Sequence, residues 1–302
     1  LTIASEKDLA CLAISVQFAN LWNGVYGLNP KYMEQLLGSD VIINLNANVN
    51  LSGTGIGGLG FDSANNLQTF RGTFNGNGHT VTLAIGEPYG MRGDKPIAPN
   101  DTTNGNGKIY RHSRLGLFAA IGDGTTADHT ATVNNLTVDG SITFDNGLGV
   151  DAGSLAATIT GNATLDGVTC NATITCDDAF GNDVNIGGLA GSVRGGGTVS
   201  FDSGNMNGST KAKSTINTGA TLDGNTRIGG AVGYVADVSA TVNVASLEVG
   251  GAVTADKSAS SKIAQVGGFI GCIAQSTYKN GEIDSSAEKN VNITGLSFNS
   301  FN

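Results

Sequence analysis

Apolar and polar residues alternate along much of the chain after residue 40, which is the pattern of strands with one buried face. The segment VIINLNANVNLSG, residues 41–53, shows this alternation without interruption. Its apolar positions are Ile43, Leu45, Ala47, Val49 and Leu51. The segment FRGTFNGNGHTVTLAI, residues 70–85, places two Asn-Gly turns before another alternating strand. The pattern therefore predicts a mainly β protein with many short strands.

The first forty residues follow a helical pattern instead. Ser5-Glu-Lys-Asp8 resembles a capping box, with Asp in place of the usual Glu. The apolar residues that follow at helical spacing are Leu9, Leu12, Ala13 and Val16. Asn29-Pro30 predicts the start of a second helix, and Gly38 predicts its end. We therefore expect residues 1–40 to form a short helical cap.

A glycine-rich apolar motif recurs in the second half of the chain. IGGLAGSV starts at Ile186, IGGAVGYV at Ile228 and VGGFIGCI at Val266. Two divergent copies, LGLFAAI and AGSLAATI, start at Leu115 and Ala152. The five starts are 37, 34, 42 and 38 residues apart. A period of this length is the signature of a solenoid or a propeller.

The strands between these motifs distinguish the two architectures. When VNNLTVDGSITF, from Val133, is aligned with LDGVTCNATITC, from Leu165, the same positions are apolar in both. The aligned pairs are Leu136 with Val168, Val138 with Cys170, Ile142 with Ile174, and Phe144 with Cys176. Such stacking is what a parallel β-helix requires, whereas a propeller blade needs four antiparallel strands per unit. We favour a β-helix of about six coils, with Cys170 and Cys176 as buried thiols or, alternatively, a disulfide.

The glycines themselves raise the question of a phosphate site. Gly55 to Gly60 match the G-x-G-x-x-G spacing of dinucleotide sites, but a polar loop follows where that site needs a helix. The recurring motif lacks the Gly-Lys-Ser/Thr of a P-loop. Paired glycines inside an apolar strand instead indicate close backbone approach at a bend. We therefore expect no cofactor.

Composition argues against further classes of function. Charged residues make up 14% of the 302 residues, and the net charge is −9, which argues against a nucleic-acid ligand. The chain has no run of 18 apolar residues, so we expect no membrane insertion. It begins with Leu1 rather than Met, which we interpret as a processed form or a monomeric fragment of a longer protein.

These motifs together resemble the GLUG family, whose glycine- and leucine-rich unit recurs in large bacterial surface proteins. The resemblance rests on Leu51-Ser52-Gly53 after the first strand, on FRGTFNGNGHTV and on the five repeats. The first two repeats depart from it at Leu117, Ala120, Ser154 and Ala157, where glycine is usual. The resemblance implies an all-β, right-handed parallel β-helix over residues 41–302, which forms a single structural domain with the cap. It also implies a secreted, extracellular adhesin at the bacterial cell surface.

The sequence contains no group of residues in a spacing typical of a catalytic site. His79, His112 and His129 do not fall in an H-E-x-x-H motif, and we interpret His79 as a turn residue. The densest acidic group is Asp177, Asp178 and Asp183, which we place in a solvated loop, with a weak calcium site as the alternative. We therefore predict a protein that is not an enzyme and holds no metal. A polysaccharide lyase or glycoside hydrolase remains the enzymatic alternative.

One segment interrupts the strand pattern, at residues 86–114. Long insertions in compact scaffolds are usually functional or disordered, and Tyr and Arg often anchor interfaces. Our partner-binding candidates there are Tyr89, Met91, Arg92, Lys95, Lys108, Tyr110, Arg111 and Arg114. We predict an adhesion module that binds a host protein, such as a mucosal glycoprotein or an immunoglobulin, or a glycan. The alternative without a ligand is a surface stalk.

Overall fold

The fold is seen in a computed structural model of the chain. The described residues are 1–26, 35–52, 59, 69–85, 91–92, 95–96, 114–122, 129–146, 150–179, 183–202, 209–222, 226–236, 240–255, 264–273, 278–279, 282–283, 291–293 and 296–301.

One helix, Glu6–Tyr26, forms the predicted cap. Ser5 Oγ accepts a hydrogen bond from the Asp8 N–H at 3.4 Å, which is one half of the predicted capping box. The Asp8 carboxylate accepts from the backbone N–H of Ala4 at 3.0 Å, where the box would use that of Ser5, and from the Ser5 hydroxyl at 2.9 Å. The predicted apolar face, from Leu9 to Val16, is buried against the end of the strand stack. Residues 35–37 are helical and end before Gly38, whereas the predicted start at Asn29 lies outside the described residues.

Beyond the cap, parallel strands stack into a solenoid-like structure made of four sheets. A typical repeat contributes to them in chain order, and we number them I to IV in that order. In one such repeat the strands are Val150–Gly153, Ala156–Thr160, Ala163–Asp166, and Thr169–Cys170 with Thr173–Ala179. This all-β architecture of stacked parallel strands agrees with the sequence prediction.

Sheets I and II contain the glycine motifs. The strands of sheet I are Arg114–Leu115, Val150–Gly153, Val184–Gly187, Thr226–Gly229 and Ala264–Gly267. The strands of sheet II are Thr69–Phe70, Phe118–Ile121, Ala156–Thr160, Ala190–Arg194, Val232–Val235 and Ile270–Ile273.

Sheets III and IV complete the repeats. The strands of sheet III are Thr2–Ile3, Ile42–Leu45, Thr73–Asn75, Ala131–Asn134, Ala163–Asp166, Gly197–Phe201, Ala240–Val244 and Val291–Ile293. The strands of sheet IV are Val49–Asn50, Thr80–Ile85, Thr137–Asn146, Thr169–Cys170, Thr173–Ala179, Thr210–Ala212, Thr215–Leu222, Leu247–Ala255 and Leu296–Phe301. Two antiparallel pairs stand apart, Met91–Arg92 with Lys95–Pro96 and Tyr278–Lys279 with Glu282–Ile283.

The register confirms the aligned core columns. Val138 pairs with Cys170, Ile142 with Ile174, and Phe144 with Cys176. All six side chains are buried, so each coil extends the apolar column of the coil before it. Burying one such side chain contributes about 1.5–3 kcal/mol, and the repetition of these columns stabilises the stack. Cys170 and Cys176 are free thiols, so the alternative of a disulfide is wrong.

The recurring glycines lie where the backbones of sheets I and II approach each other. A Cβ atom on Gly187 would lie 1.9 Å from the carbonyl oxygen of Ala190, and one on Gly233 would lie 2.6 Å from the backbone nitrogen of Ile186. These distances leave no room for a methyl group, which confirms the interpretation of close backbone approach. The strands on either side therefore come too close for a ligand to enter between these glycines.

The first repeat differs from the sequence alignment. Leu115 pairs with Ala152, but Phe118 pairs with Ala156, so the bend after Leu115 is one residue shorter than the next. The register therefore places Ala119, and not Ala120, opposite Ala157. The sequence alignment was wrong here because a shorter bend leaves the apolar pattern unchanged.

Candidate functional site

A polar network fills the arch between sheets I and II. In one repeat, Val150–Gly153 is followed by Ser154, Leu155 and Ala156–Thr160, so two strands face each other across a tight bend. Stacking of these arches brings together polar side chains from four repeats. We define the Asp151 ladder as Arg114, Asp151, Thr158, Asn185, Ser192, Arg194 and Arg227.

Asp151 is the centre of this ladder and is only 4% exposed. Its Oδ2 atom lies 2.9 Å from Arg114 Nη1 and accepts a hydrogen bond from the Ser192 hydroxyl at 2.9 Å. Its Oδ1 atom accepts a bond from Asn185 Nδ2 at 2.7 Å. Arg194 binds both oxygens, through Nε and Nη2, each at 3.2 Å.

These contacts leave the carboxylate of Asp151 saturated. The Thr158 hydroxyl adds a fifth donor at 3.2 Å, and Thr158 in turn accepts a bond from Arg114. Five side chains therefore share the roughly four lone-pair positions that a carboxylate offers. Because no position remains for a substrate proton, the geometry suits structural positioning rather than acid–base catalysis.

The ladder contains three arginines and one carboxylate, so positive charge exceeds negative charge within it. Burial lowers the pKa of Arg114, an effect that the charge of Asp151 opposes and the nearby charge of Arg194 reinforces. Arginine stays charged in proteins, so Arg114 needs the Asp151 carboxylate to compensate for its lost hydration. Asp151 is therefore the residue on which the electrostatic balance of the arch depends.

The ladder continues into the next repeats through Arg227. Its Nη1 atom donates to Asn185 Oδ1 at 3.1 Å and to Asp183 Oδ2 at 3.0 Å. Its guanidinium lies 4.2 Å from the centre of the Tyr234 ring, which is a cation–π contact. Its Nε atom is buried without a hydrogen-bond partner in the described part of the chain.

Of the predicted partner-binding residues, Arg114 is the one whose side chain the structure describes. It is 24% exposed and belongs to the ladder. Met91–Arg92 pairs with Lys95–Pro96 in a short antiparallel ribbon, and the orientation of their side chains is not described. Tyr89, Lys108, Tyr110 and Arg111 lie outside the described residues. The proposed role of this segment therefore stays a prediction.

The predicted acidic loop is partly a strand. Asp177 and Asp178 belong to Thr173–Ala179, which continues sheet IV beyond Cys176 because residues 215–222 pair with it. Asp183 lies 3.0 Å from Arg227. Among the side chains that the structure describes, which exclude those of Asp177 and Asp178, no group of three His, Cys, Asp or Glu residues could hold a metal ion.

His79 has the turn role that the sequence predicts. Its backbone N–H donates to Gly76 at 2.9 Å, and its carbonyl oxygen accepts from Thr137 at 3.0 Å. Gly78 within the same turn has a φ of 78°, which favours glycine. The turn therefore fixes the path from sheet III to sheet IV in the first coils.

A second polar array, which the sequence reasoning missed, lies on the outward side of sheet III. Thr73 pairs with Thr132, Thr132 with Thr164, Thr164 with Ser200, and Ser200 with Asn243, which gives one continuous column. Beside it run Thr198 and Thr241. An amide ladder joins Asn134 to Asn75 at 2.9 Å and Asn75 to Asn44 at 2.7 Å. We call these residues the threonine face.

The threonine face differs from the core side of the same strands. Its threonines and Ser200 are partly exposed, while the residues between them, such as Phe74 and Val133, are buried. The two carboxylates at its edge, Asp166 and Asp202, are only 7% and 5% exposed. The sequence signal was a recurring Thr-apolar-Asn or Thr-apolar-Asp triplet, at residues 73–75, 132–134 and 164–166.

The helix of the described part is not long and apolar enough to cross a membrane. Comparison with known proteins adds no assignment to this geometry: no protein-family model, no curated protein and no solved structure matches the chain.

Proposed function

We propose that this chain is a non-enzymatic binding module of an extracellular bacterial surface protein, folded as a right-handed parallel β-helix. The proposal follows from the resemblance of the sequence motifs to GLUG-type adhesins. It is supported by the long stack of parallel strands, since solenoids offer extended and rigid surfaces for recognition. The partner class is a host protein or a glycan.

The observation that carries the proposal is the position of the inserted segment. Residues 86–113 leave sheet IV after Thr80–Ile85 and return to sheet I at Arg114–Leu115. Later repeats make the same connection with far fewer residues, for example 147–149 and 223–225. The insertion ends at Arg114, which Asp151 holds in place. A long segment rich in Tyr, Arg and Lys, fixed at its base to a rigid frame, suits partner binding.

The hydrogen bonds that occupy the Asp151 carboxylate support a function without catalysis. The carboxylates of lyases and glycosidases must face the substrate with a free oxygen, whereas Asp151 is buried and fully bonded. A polysaccharide-degrading activity would have to use other carboxylates of the chain. Release of reducing ends or unsaturated uronates from a polysaccharide panel would contradict the proposal.

The test compares deletions at one corner of the solenoid. Residues 88–112 are replaced by a short Gly-Ser linker, and a matched variant replaces residues 256–263, which connect sheets IV and I in a later repeat. Binding of purified mucin, immunoglobulin A and a glycan array is measured for all three proteins. We expect the first deletion to abolish binding and the second to preserve it. Equal binding by both deletion variants would contradict the role of the insertion, and a wild-type protein that binds nothing would indicate a stalk.

The handedness of the coil is tested separately. An experimentally phased crystal structure would give the direction in which successive strands wind around the stack. We expect a right-handed turn, because nearly all crossover connections between parallel strands of one sheet are right-handed. A left-handed coil would contradict this part of the proposal.

A further inference from the structure

We infer that the partly exposed end of the arch between sheets I and II binds the carboxylate of an acidic sugar. The residues that bind it are Arg227, Tyr234 and Gln265, which we call the ladder end. The inference rests on the proposed binding function and narrows its glycan class to sugars that carry a carboxylate. It concerns the arch alone and involves no residue of the inserted segment.

Exposure of the polar side chains increases toward the ladder end. On sheet I, Asn185 pairs with Arg227 and Arg227 with Gln265. On sheet II, Ser192 pairs with Tyr234. Asn185 and Ser192 are buried, whereas Arg227 and Tyr234 are partly exposed. Gln265 is exposed. The polar columns that are closed in the earlier repeats therefore reach the surface at the ladder end.

The guanidinium of Arg227 makes its hydrogen bonds through one nitrogen. Nη1 donates to Asn185 and to Asp183, and the Tyr234 ring covers one face at 4.2 Å. Nε is buried and has no hydrogen-bond partner among the described residues, and Nη2 makes no hydrogen bond to them. A buried donor without an acceptor costs free energy. An acceptor placed against Nε and Nη2 would remove that cost.

The same arch shows which acceptor fits these two nitrogens. Arg194 donates to both oxygens of Asp151 through its own Nε and Nη2, each at 3.2 Å. Such paired bonds match the geometry of a carboxylate. A ligand carboxylate would give Arg227 the contacts that Arg194 makes with Asp151. Because Nε is buried, the ligand must displace a neighbouring side chain, and Gln265 on the next strand is exposed.

Two neutral groups favour a sugar among the ligands that carry a carboxylate. Tyr234 contacts Arg227 through its ring, and Gln265 pairs with Arg227 on the neighbouring strand. The Tyr234 hydroxyl and the Gln265 amide make no hydrogen bond to a described residue. Each of them can donate and accept, as can the hydroxyls that lie beside the carboxylate of an acidic sugar. An Asp or Glu side chain of a peptide has no such hydroxyls.

Asp183 competes only weakly for Arg227. Its Oδ2 atom lies 3.0 Å from Arg227 Nη1, and 52% of its side chain is exposed. Exposed ion pairs contribute little, and this one leaves Nε and Nη2 unused. The ladder has three arginines, against Asp151 and Asp183, so the local charge is positive although the chain carries −9. An anionic ligand is therefore attracted to this part of the surface.

The inference is tested with one variant that removes the charge and one that removes only a hydroxyl. Arg227→Gln removes the guanidinium, and its matched control is Lys211→Gln, which removes an exposed positive charge paired with Glu248 on sheet IV. Tyr234→Phe keeps the ring against Arg227 and remains informative if Arg227→Gln does not fold. Circular dichroism and the thermal midpoint verify the fold of each variant.

The probes are trigalacturonic acid and sialyllactose, with the methyl ester of the first and lactose as neutral counterparts. Triglutamate is the peptide comparison, and calorimetric titration measures binding. We expect at least one acidic sugar to bind, and its neutral counterpart to bind about tenfold more weakly or not at all. Arg227→Gln should weaken binding about tenfold and Tyr234→Phe about threefold, while Lys211→Gln should match wild type. Affinity should fall as NaCl is raised from about 50 to about 500 mM.

Four outcomes would overturn the inference. They are no binding of either acidic sugar, equal binding of the acidic and neutral sugars, equal losses in Arg227→Gln and Lys211→Gln, and tighter binding of triglutamate than of the sugars. The deletion of residues 88–112 should leave sugar binding unchanged, which separates this inference from the proposed function. Mucin or immunoglobulin binding that depends on residues 88–112, together with no acidic sugar bound, would leave the proposed function standing and reject the inference.

Discussion

The Asp151 ladder and the threonine face are both columns of polar side chains, built by stacking equivalent positions of successive coils. They differ in burial and in charge. Asp151 is 4% exposed and saturated by five donors, whereas the threonines of sheet III are partly exposed and uncharged. Stacking of equivalent positions therefore produces both a buried polar network that holds two sheets together and a polar surface that faces solvent. Burial decides which, because a buried polar group must find its partners within the protein.

Removal of the Asp151 carboxylate should give the largest effect. In Asp151→Ala, Arg114 loses its counter-charge while it remains largely buried, and such uncompensated charges cost about 3–5 kcal/mol. We expect the free energy of unfolding in urea to fall by this amount. Asp40→Asn, at an exposed carboxylate of the cap, serves as the control and should change little. If Asp151→Ala lowered the free energy of unfolding by less than about 1 kcal/mol, the ladder would not be a main source of stability.

The next effect concerns the close approach that forms the arch. In Gly187→Ala the new methyl group would lie 1.9 Å from the Ala190 carbonyl oxygen, so the two backbones must separate. We expect a destabilisation of about 1–3 kcal/mol, which is the usual cost of overpacking. Thr175→Ala on the outward side of sheet IV is the control and should stay within about 0.5 kcal/mol of wild type. The thermal midpoints of the two variants measure the difference, and similar midpoints would contradict a tightly packed arch.

The smallest effect contrasts Asp151 with Asp8, a carboxylate that is only partly buried. The backbone N–H of Ala4, followed by the Ser5 hydroxyl, lowers the pKa of Asp8 below its ordinary 3.8. The ionised form therefore stabilises the folded state above pH 4, and this contribution is lost as the pH falls through the lowered pKa. We expect Asp8→Asn to flatten the dependence of the thermal midpoint on pH between about 2 and 4. An unchanged slope would mean that the cap makes no use of the charge.

Part of the fold and little of the candidate site could be predicted from the sequence. The apolar alternation around Val138 and Ile142 specified strands and their register, because a slip by one residue would turn the core side outward. The polar ladder was missed because Asp151 lies 41 residues from Ser192 and 43 residues from Arg194, and no motif links them. The threonine face was missed because a Thr-apolar-Asn triplet is common in any exposed strand. Only stacking turns it into a column.

The sequence by itself determined the helical cap, the strand periodicity and the glycines of the bend, since each depends on local sterics and on the burial of neighbouring side chains. The tertiary structure alone decided which polar residues meet. Side chains at one coil position come together only when the loop lengths bring their strands into register, as the shorter bend after Leu115 illustrates. Asp151 and Arg194 lie 43 residues apart in sequence but share one partly buried ion pair. That contact depends on the summed geometry of two bends and four sheets, which no local pattern encodes.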